Sequence, residues 1–268
     1  MQKDVHFNLT YAISRKIGIP ANVAEKIAWA NQYTDDLTKA DLHGIQTQSA
    51  ILGNWGDRQI QLSVLVPFHF IPGEDTTHPW MTTRNNPRSQ HLVDIALSKS
   101  DVFQFGIALH GLQDTFSHES FSGWEEKLNA CYSWHYIDVL TPNVGHADLR
   151  AMPDIVNCVW TDPRNNSRID NKKRTMAAAK ATYDFLVKFH KPKTPSATWT
   201  KIRKDLGPIF KIDNYDNRKK KLCVLSGNQK IYYNGVRKKL ELAHKSDFLK
   251  AAANHLAAAT NSFSHLLT

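Results

Sequence analysis

The segment His110-Gly-Leu-Gln-Asp114-Thr-Phe-Ser-His118 places three metal-ligand side chains at i, i+4 and i+8 of a stretch that reads as helix. At 3.6 residues per turn these positions spread over about 80° of the helix surface, and the two histidine Cα atoms stand roughly 12 Å apart along the axis. A single ion is poorly placed to collect all three. Two ions sharing Asp114 would each take one carboxylate oxygen, with His110 on one and His118 on the other. The spacing suggests a bridged cluster ahead of a single structural zinc.

Thirteen histidines occur among 268 residues, several of them beside carboxylates in the first part of the chain. Asp4 precedes His6, Asp35 and Asp36 follow Gln32-Tyr-Thr, His69 lies between two phenylalanines, and Gly145-His146-Ala-Asp148 runs on to Pro153-Asp154. A lone histidine on an apolar face is more often a hydrogen-bonded core residue than a ligand. The triplet at 110, 114 and 118 is different, because a buried helix face would otherwise hold three polar groups in need of partners.

The elements that must position these residues are mostly helical. Residues 5–33 read as one or two helices interrupted near Gly18-Ile-Pro20, where the proline suits a helix start. Helical periodicity returns over Ser89–Leu97, Phe103–His118 and Lys172–His190, and Lys191-Pro-Lys-Thr-Pro-Ser breaks it. A long alanine-rich region runs from Lys238 to the C-terminus. Gln59-Ile-Gln-Leu-Ser-Val-Leu-Val-Pro67 alternates and is rich in branched residues, which predicts a short extended segment over 59–72. The middle of the chain is loop-rich, and the run Asp162-Pro-Arg-Asn-Asn-Ser-Arg marks a boundary. The expected architecture is an all-α multi-helix bundle around a metal cluster. A metal-binding helical core over 1–164 would carry a basic helical part over 165–268 packed on it.

Charge follows the same division. Residues 1–164 hold 12 Lys and Arg against 18 Asp and Glu, a net of −6, whereas 165–268 hold 22 against 7, a net of +15. The basic part is either a set of solvated helix faces or a surface for polyanions, nucleic acid or an anionic membrane. Cys131, Cys158 and Cys223 are widely spaced and lack a C-x-x-C pair, so neither a disulfide framework nor a cysteine zinc site is expected. The polar start Met1-Gln-Lys-Asp-Val-His gives no signal peptide, and no run of 18 apolar residues occurs, which points to a cytoplasmic protein or one exported by a leaderless system. An adjacent His-Asp pair, a nucleophile elbow, a phosphate loop and His-Glu-x-x-His are all absent, and Glu241-Leu-Ala-His244 is a lone match to a ferritin-like site.

With Asp35 or Asp36, His69 and His146 around it, His110-x-x-x-Asp114-x-x-x-His118 resembles the ligand order of the zinc-dependent phospholipase C and P1-type nuclease superfamily. Met-Gln-Lys-Asp-Val-His, Phe-His-Phe-Ile-Pro-Gly and Gly-His-Ala-Asp are similar to a bacterial branch of it. The resemblance spans roughly residues 1–160. It implies an all-helical hydrolase of phosphodiester bonds with two or three zinc ions. His6, His69, His110, His118 and His146 would be ligands, Asp114 the bridging carboxylate, and Asp36 the first aspartate, with Asp35 or Asp36 orienting the attacking water. Two departures accompany it. The family's processed N-terminal tryptophan is replaced by Met1-Gln2, so Asp4 would substitute; the glutamate expected four residues after the late histidine is Arg150, so Asp148 or Asp154 would serve.

Arg84, Arg88 and Arg150 are candidates to clamp phosphate oxygens, since guanidinium forks match that geometry. Trp124, Trp134 and Trp160 could meet a lipid interface or a base, with core packing the simpler role. A phospholipase C-like activity is slightly favoured over a nuclease. An anionic membrane surface and an inhibitor protein are further possible partners, and a toxin is one setting. The alternative is a non-catalytic zinc-stabilised protein that binds nucleic acid or membrane through its basic part. A closed ligand set with no water-accessible position would favour it.

Overall fold

Helix α5 (Val102–Ser117) is the axis of the molecule, and every residue from Phe103 to Ser117 is buried. Asp101 starts it by accepting from the backbone N–H groups of Phe103 (2.9 Å) and Gln104 (3.0 Å). A helix apolar on one side alone could not be buried on all sides. Phe105, Ile107, Ala108, Leu109, Leu112 and Phe116 cover most of α5, and His110, Gln113 and Asp114 belong to the site described below. The computed structural model describes residues 1–37, 45–48, 56–131, 143–192 and 194–267.

Around α5 stand α1 (Thr10–Lys16), α2 (Ala21–Asp36), α4 (Pro87–Lys99), α6 (Asn171–His190) and α9 (Tyr233–Phe263), with the one-turn α3 (Arg58–Ile60) and the outer helices α7 (Trp199–Ile209) and α8 (Tyr215–Leu225). The starts follow local chemistry. Pro20 precedes α2, Asn86 caps α4 with Pro87 in its first turn, and Asp170 caps α6. Alpha2 comes closest to α5 at Gly106, where a Cβ would lie 2.6 Å from the Ile27 carbonyl oxygen and 2.7 Å from the Ala30 Cβ. One apolar cluster draws on both sides of position 164: Ile27, Trp29, Phe105 and Leu109 share it with Phe185, Leu206, Phe248 and Phe263. The all-α architecture expected from the periodicity is present. Helices α7 and α8 were not anticipated, because α8 (Tyr-Asp-Asn-Arg-Lys-Lys-Lys) is mostly polar and α7 contains Pro208. No helix among the described residues is long and apolar enough to cross a membrane.

The segment expected to be extended over 59–72 is helical from 59 to 69 and leaves the helix only at its end, where Pro72 forms an antiparallel bridge with Thr82. Alpha3 runs directly into a π-helical stretch, Gln61–His69, closed by Phe70 N–H donating to the Leu65 carbonyl at 2.8 Å. Two physical reasons apply. From Val64 on the run is buried, so alternation there carries no information about face, and branched residues pack as well in a buried helix. Pro67 lacks an N–H, and the wider π turn accommodates the gap. The Pro67 carbonyl is taken up by His255 Nε2 at 3.0 Å.

That histidine is fully buried, and burial holds it neutral with its pKa lowered to about 4. The unfolded chain binds the proton near pH 6.5 and the folded one only near 4, so stability falls as pH drops through that window. The loss amounts to roughly 3 kcal/mol over the window. His255→Leu is expected to remove one proton's worth of this slope in urea unfolding compared between pH 7 and pH 4.5; an unchanged slope would exclude this role.

The loop-rich middle contains a small antiparallel hairpin, β1 (Val159–Thr161) with β2 (Arg168–Asp170). The polar run read as a boundary forms its turn. Arg164 pairs there with Asp162 and donates to the Ser120 and Leu128 carbonyls at 2.7 and 3.0 Å, over the face of Phe121. This ties the loops to a second apolar cluster of Leu65, Phe70, Phe121, Val144, Leu149 and Trp160, which forms one wall of the site.

Candidate metal centre

Five histidines and three aspartates from six segments converge at the inner end of α5. They form three groups able to hold a metal ion: His6, His110 and Asp114; Asp35, His69 and His110; and His118, His146 and Asp154. The π turn Asp4–Leu9 brings His6, the end of α2 brings Asp35, and the end of Gln61–His69 brings His69. Single-turn helices at Ala147–Leu149 and Met152–Asp154 set His146 and Asp154. Gly145, at φ 58°, lets this loop lie on Phe70, whose ring a Cβ would meet at 2.6 Å.

Asp114 is the hub. Its Oδ1 is 3.2 Å from His6 Nε2, and its Oδ2 is 3.2 Å from both His69 Nδ1 and His110 Nε2. Its two oxygens thus face different histidines, while the residue common to two of the three groups is His110, and His118, the partner expected from the spacing, turns away from Asp114. His118 is the residue that ends α5, and its Nε2 faces Asp154 Oδ1 at 3.3 Å. Asp154 Oδ2 in turn faces His146 Nε2 at 3.5 Å. The Met1 backbone nitrogen joins the two halves, bonded to Asp114 and 3.3 Å from Asp154 Oδ1.

Each imidazole has one ring nitrogen bound to an oxygen outside the cluster. His6 Nδ1 meets Gln113 Oε1 at 2.9 Å, His110 Nδ1 the Asn31 carbonyl at 2.8 Å, and His69 Nε2 the Thr47 carbonyl at 2.6 Å. His118 Nδ1 meets the His69 carbonyl, and His146 Nδ1 the Arg150 carbonyl, both at 2.7 Å. Carbonyls only accept, so these nitrogens carry N–H and the inward ones are lone-pair donors. His69 Nδ1 lies 3.0 Å from His110 Nε2 and 3.2 Å from Asp114 Oδ2, so with no ion bound a proton on His69 links these two acceptors. His6 Nε2 and Asp154 Oδ1 are buried with no hydrogen bond.

Positive charge stabilises such a set, and the Met1 ammonium supplies one: burial opposes it, but Asp114 and Asp154 raise its pKa to about 11. Burial, with His6 adding to it, lowers the pKa of His110 to about 4, and burial lowers those of His6 and His146, so these rings are neutral. Burial opposes protonation of His69 too, but its hydrogen bond to Asp114 and the charges of Asp35 and Asp114 raise it. Asp114 lies well below the ordinary carboxylate range: burial works against ionisation, and the Met1 nitrogen and the facing histidines outweigh it. Burial raises Asp35.

Several residues expected at the site lie elsewhere. Asp4 is not a ligand; its carboxylate is buried against the guanidinium of Arg218 on α8. Asp36 faces Arg237 and Gln32 at 3.4 Å, because consecutive helical positions diverge by about 100° and only Asp35 can turn inward. Asp35 thus stands among the ligand groups, and neither aspartate is left over beside them to orient a water. Arg84 pairs with Glu119 at 2.5 Å, and Arg88 donates to the carbonyls of Pro72 and Gly73 and faces His265, so neither reaches the cavity. Asp148 accepts from the Cys131 N–H at 2.9 Å and leaves the acidic role to Asp154.

Trp124 stacks on Trp80, and Trp160 is buried with its indole N–H on Asn171. Trp134 is outside the described residues. Sequence reasoning missed Gln113. Its Oε1 accepts from Asn31 and meets His6, while its amide donates to Thr10 and Thr182 at 2.9 and 3.0 Å. The available signal was a glutamine beside Asp114 in an otherwise apolar helix.

A cavity of about 380 Å³ opens onto the cluster, lined by Asp35, His69, Asp114, His118, His146 and Asp154 on one side and by Leu65, Phe70, Val144, Ala147, Arg150 and Ala151 on the other. The centre is thus open to small molecules. Comparison with curated proteins and with solved structures finds no match. The model of DUF6765, a family of unknown function, matches residues 1–265, and the chain belongs to that family.

Proposed function

We propose that the chain is a metal-dependent hydrolase of phosphodiester bonds, with two or three zinc ions held by His6, Asp35, His69, His110, Asp114, His118, His146 and Asp154. The inward convergence of five imidazole nitrogens and three carboxylates on an open cavity carries this reading. Nitrogen-rich, carboxylate-bridged sets suit zinc better than calcium or magnesium, which prefer all-oxygen shells. When bound, zinc supplies a nucleophilic water at neutral pH and charge to offset that on phosphoryl oxygens. The protein's share is orientation. The carbonyls of Asn31, Thr47, His69 and Arg150 and the Gln113 amide hold the rings in one tautomer, and Phe70 stacks on His118 at 4.3 Å, fixing its plane.

The open cavity favours catalysis over the non-catalytic binding protein, because a structural zinc site is closed by its ligands. The resemblance to the phospholipase C and P1-type nuclease superfamily supports the same bond class. The test is metal analysis of purified protein, followed by hydrolysis assays on a small aromatic phosphodiester, phospholipid vesicles and single-stranded DNA. Two or three zinc ions per chain and chelator-sensitive turnover of one substrate are expected. Full zinc content with no turnover of any of them would overturn the hydrolase.

A further inference from the structure

Four arginines approach the loops around the centre, and three are committed. Arg84 and Arg174 share Glu119, and Arg164 is locked on Asp162. Arg150 is exposed, lines the cavity, and has no carboxylate within ion-pair reach among the described residues. It is also the one lysine or arginine among the cavity-lining residues, all of which lie at or before position 154. The strongly basic part of the chain, 165–268, thus contributes no lining residue. Arg150 is held with φ 51° and ψ −131°, a backbone conformation that costs a non-glycine residue of order 1–3 kcal/mol. Its carbonyl is meanwhile fixed on His146 Nδ1. A glycine would satisfy that carbonyl without strain, so nothing in the fold calls for a guanidinium here.

We propose that Arg150 is the anion-recognition residue of this cavity and that the substrate is an ester of a single phosphoryl group with a compact apolar substituent. The proposal rests on the phosphodiesterase reading and narrows it. The guanidinium offers paired N–H donors to non-bridging phosphoryl oxygens beside the ligand cluster. Leu65, Phe70, Val144, Ala147 and Ala151 give the apolar wall that receives the substituent. The Met1 ammonium also lines the cavity but is taken up by Asp114 and Asp154, so Arg150 is the one uncommitted cation among the described lining residues; in a volume of about 380 Å³ it matches one phosphoryl group.

The experiment titrates inorganic phosphate into zinc-loaded wild type, Arg150→Gly and Arg150→Lys by calorimetry, with zinc content and melting temperature measured on each. Arg150→Gly should keep its zinc, melt no lower than wild type, and bind phosphate at least tenfold more weakly; Arg150→Lys should recover part of that loss. On bis(4-nitrophenyl) phosphate, KM should rise more than kcat falls. Equal phosphate affinity in wild type and Arg150→Gly would overturn the assignment while leaving the hydrolase reading intact. Zinc-loaded wild type that bound no phosphate and cleaved no ester would overturn both. Faster turnover of single-stranded DNA than of the small diester would overturn the single-phosphoryl substrate.

Discussion

Asp114→Asn is expected to lose bound metal and, with it, at least 99% of any hydrolytic activity. The substitution keeps the shape and removes the charge. It also puts an amide N–H₂ where one oxygen now faces His6 at 3.2 Å or where the other faces His69 and His110 at the same distance. Because its two oxygens face three histidines, no neighbouring residue can replace it: Asp154 is committed to His118 and His146. Outer-shell changes already cost about 10–100-fold in metal affinity, so loss of the shared ligand should exceed that range. Elemental analysis after dialysis against a weak chelator reads the result directly. A variant that retained the wild-type metal content would show that Asp114 bridges nothing.

The second large effect lies about the N-terminal segment. Arg218→Met should destabilise the fold by about 3–5 kcal/mol, because it strands the Asp4 carboxylate in the interior. Asp4 is fully buried, its second oxygen has no partner, and burial already raises its pKa against the pull of Arg218. The guanidinium also donates to the Ile212 carbonyl at 2.8 Å, so its removal frees a second buried acceptor. At this chain length the loss corresponds to a melting temperature lower by about 10 °C. The double variant Asp4→Leu, Arg218→Met is expected to recover most of the stability, since apolar replacements of a buried ion pair are often neutral. It should also retain metal, because Asp4 positions His6 through the chain and touches no ligand. A cost below 1 kcal/mol for the single variant, or metal loss in a stable double variant, would return Asp4 to the ligand set.

The two outcomes separate what kind of information each residue carries. His110, Asp114 and His118 were legible because helix geometry is local: once Asp101 caps the helix and its apolar residues bury it, the positions of i, i+4 and i+8 follow from 3.6 residues per turn. The start of α2 was legible for the same reason, since Pro20 presets the backbone of its first turn, whereas the caps Asn86 and Asp101 begin α4 and α5 ahead of the periodic stretches read from Ser89 and Phe103. The run 59–72 was not, because alternation reports a face only when one face meets water, and from Val64 on this run meets almost none.

The sequence by itself determined the all-α class, the central helix with its three ligand types, and the pool of histidines and aspartates available to it. Tertiary structure alone decided membership. It turned Asp35 inward and Asp36 to Arg237, gave Asp154 to His118 and His146 and Asp148 to a backbone N–H, and sent Asp4 to Arg218, 214 residues away. The reason is physical. Spacing within a helix is fixed by covalent geometry, whereas a carboxylate's partner is whichever cation or N–H the packing of distant helices brings within about 3 Å, and no local pattern encodes that choice.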